Sequence, residues 1–165
     1  MKNIDKLIKP YVGLDYIENK STPLIDSIMM EDYEQLKSIL EYGVDLELCI
    51  DKEYTAAHFA IEWDDKKAFN LLLEYGLNPF LTTEKHNQNL AHYAARTNPD
   101  FLCYLYELNI DFNETDKFCD NVWDLLQSKS PEKIPAIKKF IQTFEEKNKL
   151  DKQIKRRKQS PKNIL

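Results

Sequence analysis

A period of 33 residues dominates this chain. Glu41-Tyr42-Gly43 recurs 33 residues on as Glu74-Tyr75-Gly76, and Glu107-Leu108-Asn109 follows after another 33. The apolar residues ahead of these marks keep step, with Leu36, Phe69 and Leu102 at one position and Leu40, Leu73 and Tyr106 at another. Upstream, Thr22-Pro23-Leu24-Ile25 is matched by Thr55-Ala56-Ala57-His58 at a spacing of 33, by Asn89-Leu90-Ala91-His92 at a further 34 and by Asn121-Val122-Trp123-Asp124 at 32 more. A unit this short cannot bury its own apolar face. It is stable only when stacked on copies of itself, which requires about three units and polar caps at the ends.

Each unit reads as two short helices and a loop. In the second, Ala57, Ala60 and Ile61 fall at i, i+3 and i+4, on one face of a helix opened by Thr55 as N-cap. Asp64-Asp65 interrupts the pattern and supplies carboxylates to the next helix N-terminus, where the helix dipole favours them. Ala68, Phe69, Leu71, Leu72 and Leu73 then build a second, more apolar helix. Gly76 closes it where a left-handed cap wants glycine, and Asn109 stands in that place one unit later. No segment shows sustained strand alternation, so the expected class is all-α.

With a Thr-Pro-Leu opening, a Leu-Leu pair and a Gly-x-Asn close, the unit resembles the ankyrin repeat. The carriers are Thr22-Pro23-Leu24, Ala57-His58-Phe59-Ala60, Ala91-His92-Tyr93-Ala94-Ala95, Leu72-Leu73-Glu74-Tyr75-Gly76 and Ile110-Asp111-Phe112-Asn113. The resemblance implies an ankyrin solenoid of three full repeats and the start of a fourth over residues 21–128. Several positions depart from the family pattern. Where it has Gly opening the hairpin finger, this chain has Glu53 and then Asn87 or Gln88. Where it has Gly between the helices, Glu31 and Asp64 stand. The third repeat is one residue short around Asn98-Pro99, and its finger, Thr82 to Gln88, is one longer.

The flanks are expected to cap the stack. Residues 1–20 place Ile4, Leu7 and Ile8 at helical spacing over the first repeat. Residues 129–146 place Ile137, Phe140, Ile141 and Phe144 on one face of a capping helix, with Pro135 near its start. That helix could extend through Leu150 and Ile154. Residues 147–165 read as a basic, flexible tail. From Glu146 onward eight basic residues face two acids, a surplus of +6, whereas residues 1–145 carry −11. An acidic body repels nucleic-acid phosphate and favours a basic partner surface, which leaves Lys155-Arg156-Arg157-Lys158 as the one patch suited to nucleic acid or nuclear targeting. No aromatic residue interleaves that run, so it lacks the stacking platform of a single-strand binder.

The chain offers little for catalysis. Only three Gly are present, and no Gly-rich phosphate loop, GxSxG or HExxH motif occurs. The three Cys have no CxxC spacing and suggest neither a disulfide framework nor a zinc site. His58 and His92 share one repeat position, and the resemblance implies that this His bonds backbone between adjacent repeats. His86 lies in the long finger, expected exposed. No cofactor or metal is expected, and not an enzyme. No apolar run is long enough to span a membrane, and Met1 to Lys6 leads into no apolar leader, so a cytoplasmic location is expected.

The resemblance implies that binding lies on the concave face, formed by the fingers and the ends of the first helices. The residues expected there are Met29 and Met30 in the first repeat, Tyr54, Glu62 and Trp63 in the second, and Lys85, His86 and Arg96 in the third. Trp, Tyr and Arg anchor interfaces more often than other residues, and Met adapts its shape to a partner. Asp51, Glu53, Glu62, Asp64 and Asp65 frame the aromatic pair with carboxylates, an arrangement for a basic protein surface. Trp123 occupies an inward position and is expected in the core. The expected function is therefore a monomeric protein-interaction module. Its specific forms include an immunity or antitoxin-like inhibitor and a microbial effector, and a nucleic-acid or nuclear factor acting through the tail is the alternative of a different class.

Overall fold

The computed structural model describes residues 21–48 and 54–159, and for 156–159 the backbone alone. The expected cap at 1–20, together with Cys49, Asp51, Glu53 and residues 160–165, lies outside the described residues. Among the described residues eight α-helices follow in pairs: α1 (Pro23–Met29) with α2 (Tyr33–Tyr42), α3 (Ala56–Glu62) with α4 (Lys66–Glu74), α5 (Leu90–Thr97) with α6 (Leu102–Glu107), and α7 (Val122–Lys129) with α8 (Ile134–Gln159). The protein is an all-α repeat array.

Local chemistry starts and stops these helices as the periodicity predicts. Thr22, Thr55, Asn89 and Asn121 are the N-caps of the four first helices. In the second and third repeats the His three residues on reaches back to complete the cap. His58 Nδ1 accepts from the Thr55 N–H at 3.0 Å, and His92 Nδ1 from the Asn89 N–H at 3.3 Å. Asp32 and Asp65 cap the second helices, each accepting a backbone N–H at 2.9 Å. Gly43, Gly76 and Asn109 end the helices in the left-handed conformation. Glu31, Asp64 and Asn87, which stand where the family pattern has Gly, adopt the same conformation with φ of 52°. The backbone therefore keeps the family's turns and carries the strain of a side chain in them.

The shortened third repeat makes a different turn. Asn98 ends α5 at φ −140° and ψ 80°, and a single 3-10 turn, Pro99–Phe101, leads into α6. The Asn98 side-chain amide donates to the Ile61 carbonyl at 2.9 Å, tying this turn to the preceding repeat. A second 3-10 turn, Pro131–Lys133, follows Ser130 before α8. The second helix of the fourth pair is thus α8 itself. It runs unbroken from Ile134 to Gln159, through Leu150 and Ile154. From Ala136 to Gln159 no Gly or Pro interrupts it, and Lys, Glu, Gln and Leu are good helix formers.

The core is one apolar column between the helix layers. Leu36, Phe69, Leu102 and Leu105 are fully buried, as are Ala57, Ala60, Ala91 and Ala94 where first helices approach closely. The rings of Phe69 and Phe101 meet at 5.4 Å, with Tyr104 edge-on to both. Polar rungs tie neighbouring repeats along the second helices. Tyr104 donates to Asn70 Oδ1 at 2.6 Å, Tyr106 to Glu145 Oε1 at 2.8 Å, and Lys133 Nζ to Asp100 at 2.7 Å. Trp123 departs from the expected core position. It is half-buried, between Phe112 and the ammonium of Lys138. Its neighbour Val122 is the buried residue.

Candidate protein-binding surface

The ends of the first helices repeat one geometry. Seven residues after the N-caps stand Met29, Glu62 and Arg96, and eight residues after them Met30, Trp63 and Thr97. These positions close each first helix on the side away from the core. Met29, Met30 and Trp63 are accordingly 45%, 76% and 58% exposed, which is high for large apolar side chains. Glu62 and Arg96 are exposed beside them.

Behind that row the third finger folds onto α5. The Thr83 N–H donates to the Gln88 carbonyl at 2.9 Å and the Asn87 N–H to the Thr83 carbonyl at 2.8 Å, which close the loop. Lys117 of the fourth finger holds it from the other side, donating from its backbone N–H to the His86 carbonyl and from Nζ to the Lys85 carbonyl. His86 is therefore half-buried rather than exposed, with its ring 5.5 Å from that of Phe118. Lys85 remains exposed.

Three of the expected residues, Tyr54, His86 and Arg96, meet around a concavity of about 80 Å³ completed by His58, Thr83, Gln88 and Tyr93. Tyr54, His58 and Tyr93 pack ring to ring with centroids 4.8–5.9 Å apart. Glu62 joins from the rim, accepting from the Tyr93 hydroxyl at 2.8 Å. Burial first, and then the Glu62 carboxylate, push the Tyr93 hydroxyl far above the ordinary range, so it stays protonated and donates.

Gln88 holds the cluster together. It is buried, its Nε2 donates to Asp116 Oδ2 at 2.6 Å, and its Oε1 accepts from Arg96 Nη2 at 2.5 Å. Burial alone pushes the Asp116 carboxyl up. The donors Gln88, Phe118 N–H and Asp120 N–H, with His92 nearby, outweigh it and hold the group below the ordinary carboxylate range. His92 is lowered by burial, against the opposing pull of Asp116 and of the Asp120 and Glu114 carbonyls in the next finger. Its ring Nδ1 bonds Asn89 of its own repeat and its Nε2 finds no hydrogen-bond partner among the described residues, so the backbone bond to the adjacent repeat that the resemblance implies is not formed. Gln88, Tyr93 and Asp116 were not legible as site residues. Tyr93 and Phe59 share a repeat position, the one signal that could have marked it, but Asp116 carries none.

Among the described residues no group of three or more His, Cys, Asp or Glu is placed to hold a metal ion, and no helix is long and apolar enough to cross a membrane. Cys103 is half-buried, with its thiol pushed up by burial, and Cys119 is exposed; both are free.

Residues 24–116 match the family model for ankyrin repeats in three copies. That is more than half of the chain, which therefore belongs to the ankyrin-repeat family. No individual curated protein matches it. Ankyrin repeats are generally protein–protein interaction modules, and the family is typically non-enzymatic.

Proposed function

We propose that this protein is a monomeric, cytoplasmic interaction module that binds one protein partner through the exposed ends of α1, α3 and α5 and the third finger. Met29, Met30 and Trp63 form the apolar anchor, and Tyr54, Glu62, Lys85, His86 and Arg96 the polar surround. The observation that carries this reading is the exposure of Met30 and Trp63 in register on successive repeats. Neither the core nor the caps require an apolar residue at those positions, and a desolvated aromatic ringed by polar groups is the usual anatomy of an interface hot spot. The acidic body would steer toward it a partner whose surface is basic overall. An inhibitor of a basic toxin and a microbial effector both use such a surface. Affinity capture from the source lysate tests it. One stoichiometric protein held by the wild type and by a 1–146 truncation, and lost with Met30→Ala/Trp63→Ala, is expected.

A second reading is favoured by Lys147, Lys149, Lys152 and Lys155, all exposed on the continuous end of α8. In it, that helix contacts nucleic acid. Such binding would fall steeply as salt rises and vanish in the 1–146 truncation. Capture that survives both Met30→Ala/Trp63→Ala and nuclease treatment speaks against either surface.

A further inference from the structure

We propose that the concavity beside Arg96 receives a carboxylate, the side chain of an Asp or Glu set within the partner's otherwise basic or apolar contact surface. This rests on the interaction-module reading and specifies its polar anchor. None of the seven described residues lining the concavity is an acid, and Arg96, Gln88, Thr83 and Tyr54 among them can donate hydrogen bonds, while the Tyr93 proton is committed to Glu62 at the rim. Its volume of about 80 Å³ leaves room for the two oxygens of a carboxylate. Among the described residues no carboxylate comes within ion-pair distance of Arg96, whose one hydrogen bond is to the neutral Gln88 amide. Four of the five guanidinium N–H donors are left unspent. Buried Gln88, clamped at its other end by Asp116, fixes the guanidinium instead of leaving it to sweep through solvent. A fixed planar fork with spare donors matches a carboxylate in bidentate fashion. A partner carbonyl accepts fewer of those donors than a carboxylate does, and a partner cation would be repelled. Trp63 and Met30, one repeat and two repeats away, then cover the apolar flank of the same ligand.

The test uses the full chain, ¹⁵N-labelled, titrated with N-acetylglutamate N-methylamide, with the glutamine analogue and inorganic phosphate as comparisons. Saturable shifts of the Arg96 Nε–Hε and Tyr54 signals are expected with the glutamate probe. They should be about tenfold weaker with the glutamine analogue and in Arg96→Lys, and absent in Arg96→Gln of unchanged circular dichroism. No saturable shift with the glutamate probe, or tighter binding of phosphate, overturns the assignment. Peptide display on wild type and on Trp63→Ala separates this from the underlying reading. Peptides that need Trp63 and share a fixed Asp or Glu support both. Peptides that need Trp63 but carry no fixed acid leave the surface standing and remove the carboxylate. Peptides indifferent to Trp63 remove the surface and the docking site with it.

Discussion

The hydroxyl of Tyr93 donates to Glu62 Oε2 at 2.8 Å across the boundary between the second and third repeats. One residue is buried and the other exposed, so the bond ties the core-facing side of α5 to the open surface of α3. Replacing Tyr93 with Phe keeps the ring contacts with Tyr54 and His58 and removes only the bond. A loss of about 1 kcal/mol is expected, read by urea denaturation monitored by circular dichroism. The stability it leaves should also depend less on alkaline pH. Tyr33, Tyr93, Tyr104 and Tyr106 all have raised values in the fold. Their contribution is complete below the ordinary tyrosine value of about 10, and is lost as pH rises through the folded values.

On the acid side, His92 and Asp116 set the response. His92 is lowered by burial, so the unfolded chain takes up a proton near pH 6.5 before the folded one does. Stability should fall as pH drops from 7 towards 5. Asp116, also lowered in the fold, contributes fully above about pH 4, and that contribution disappears as pH falls through its folded value. Urea midpoints across pH 3–8 test the two steps, and the His92 ring protons should show no titration near pH 6.5. A midpoint that is flat from pH 7 to 5 contradicts the burial of His92 as a neutral ring.

Left-handed turn positions predict effects of opposite sign. Glu31 has a φ of 52° and an exposed side chain, so Glu31→Gly should raise stability by about 0.5–1 kcal/mol. Gly76 has a φ of 97°, and a Cβ added there would meet nothing within 4 Å. The cost of Gly76→Ala, about 1 kcal/mol, would then be backbone strain alone. Thermal midpoints of the two variants should move in opposite directions.

Phe69 lies where two repeats meet on one ring. It is fully buried and packs against both Phe101 and Tyr104 of the next repeat. Phe69→Ala should cost about 3–5 kcal/mol and lower the urea midpoint in one cooperative step. Trp63→Ala, at a side chain 58% exposed, should change stability by no more than about 0.5 kcal/mol. That contrast shows that any loss of binding in Trp63→Ala is not a loss of fold.

The sequence by itself determined the repeat, the helix pairs, their caps and the left-handed positions. Thr55, Asp65, Gly76 and Asn109 act on backbone groups within a few residues of themselves, and the 33-residue period repeats those local decisions until each apolar face finds its copy. It also determined the exposed row of Met30 and Trp63, because positions in phase with the core reveal which ones point away from it. Tertiary structure alone decided the polar cluster. Gln88 meets Asp116, 28 residues away, only because the fourth finger folds back over the third, and no local preference encodes that approach. The same holds for His86, covered by Phe118, and for Trp123, half-buried between Phe112 and Lys138. In each case the environment is set by a neighbouring element whose distance along the chain hides it from any local reading.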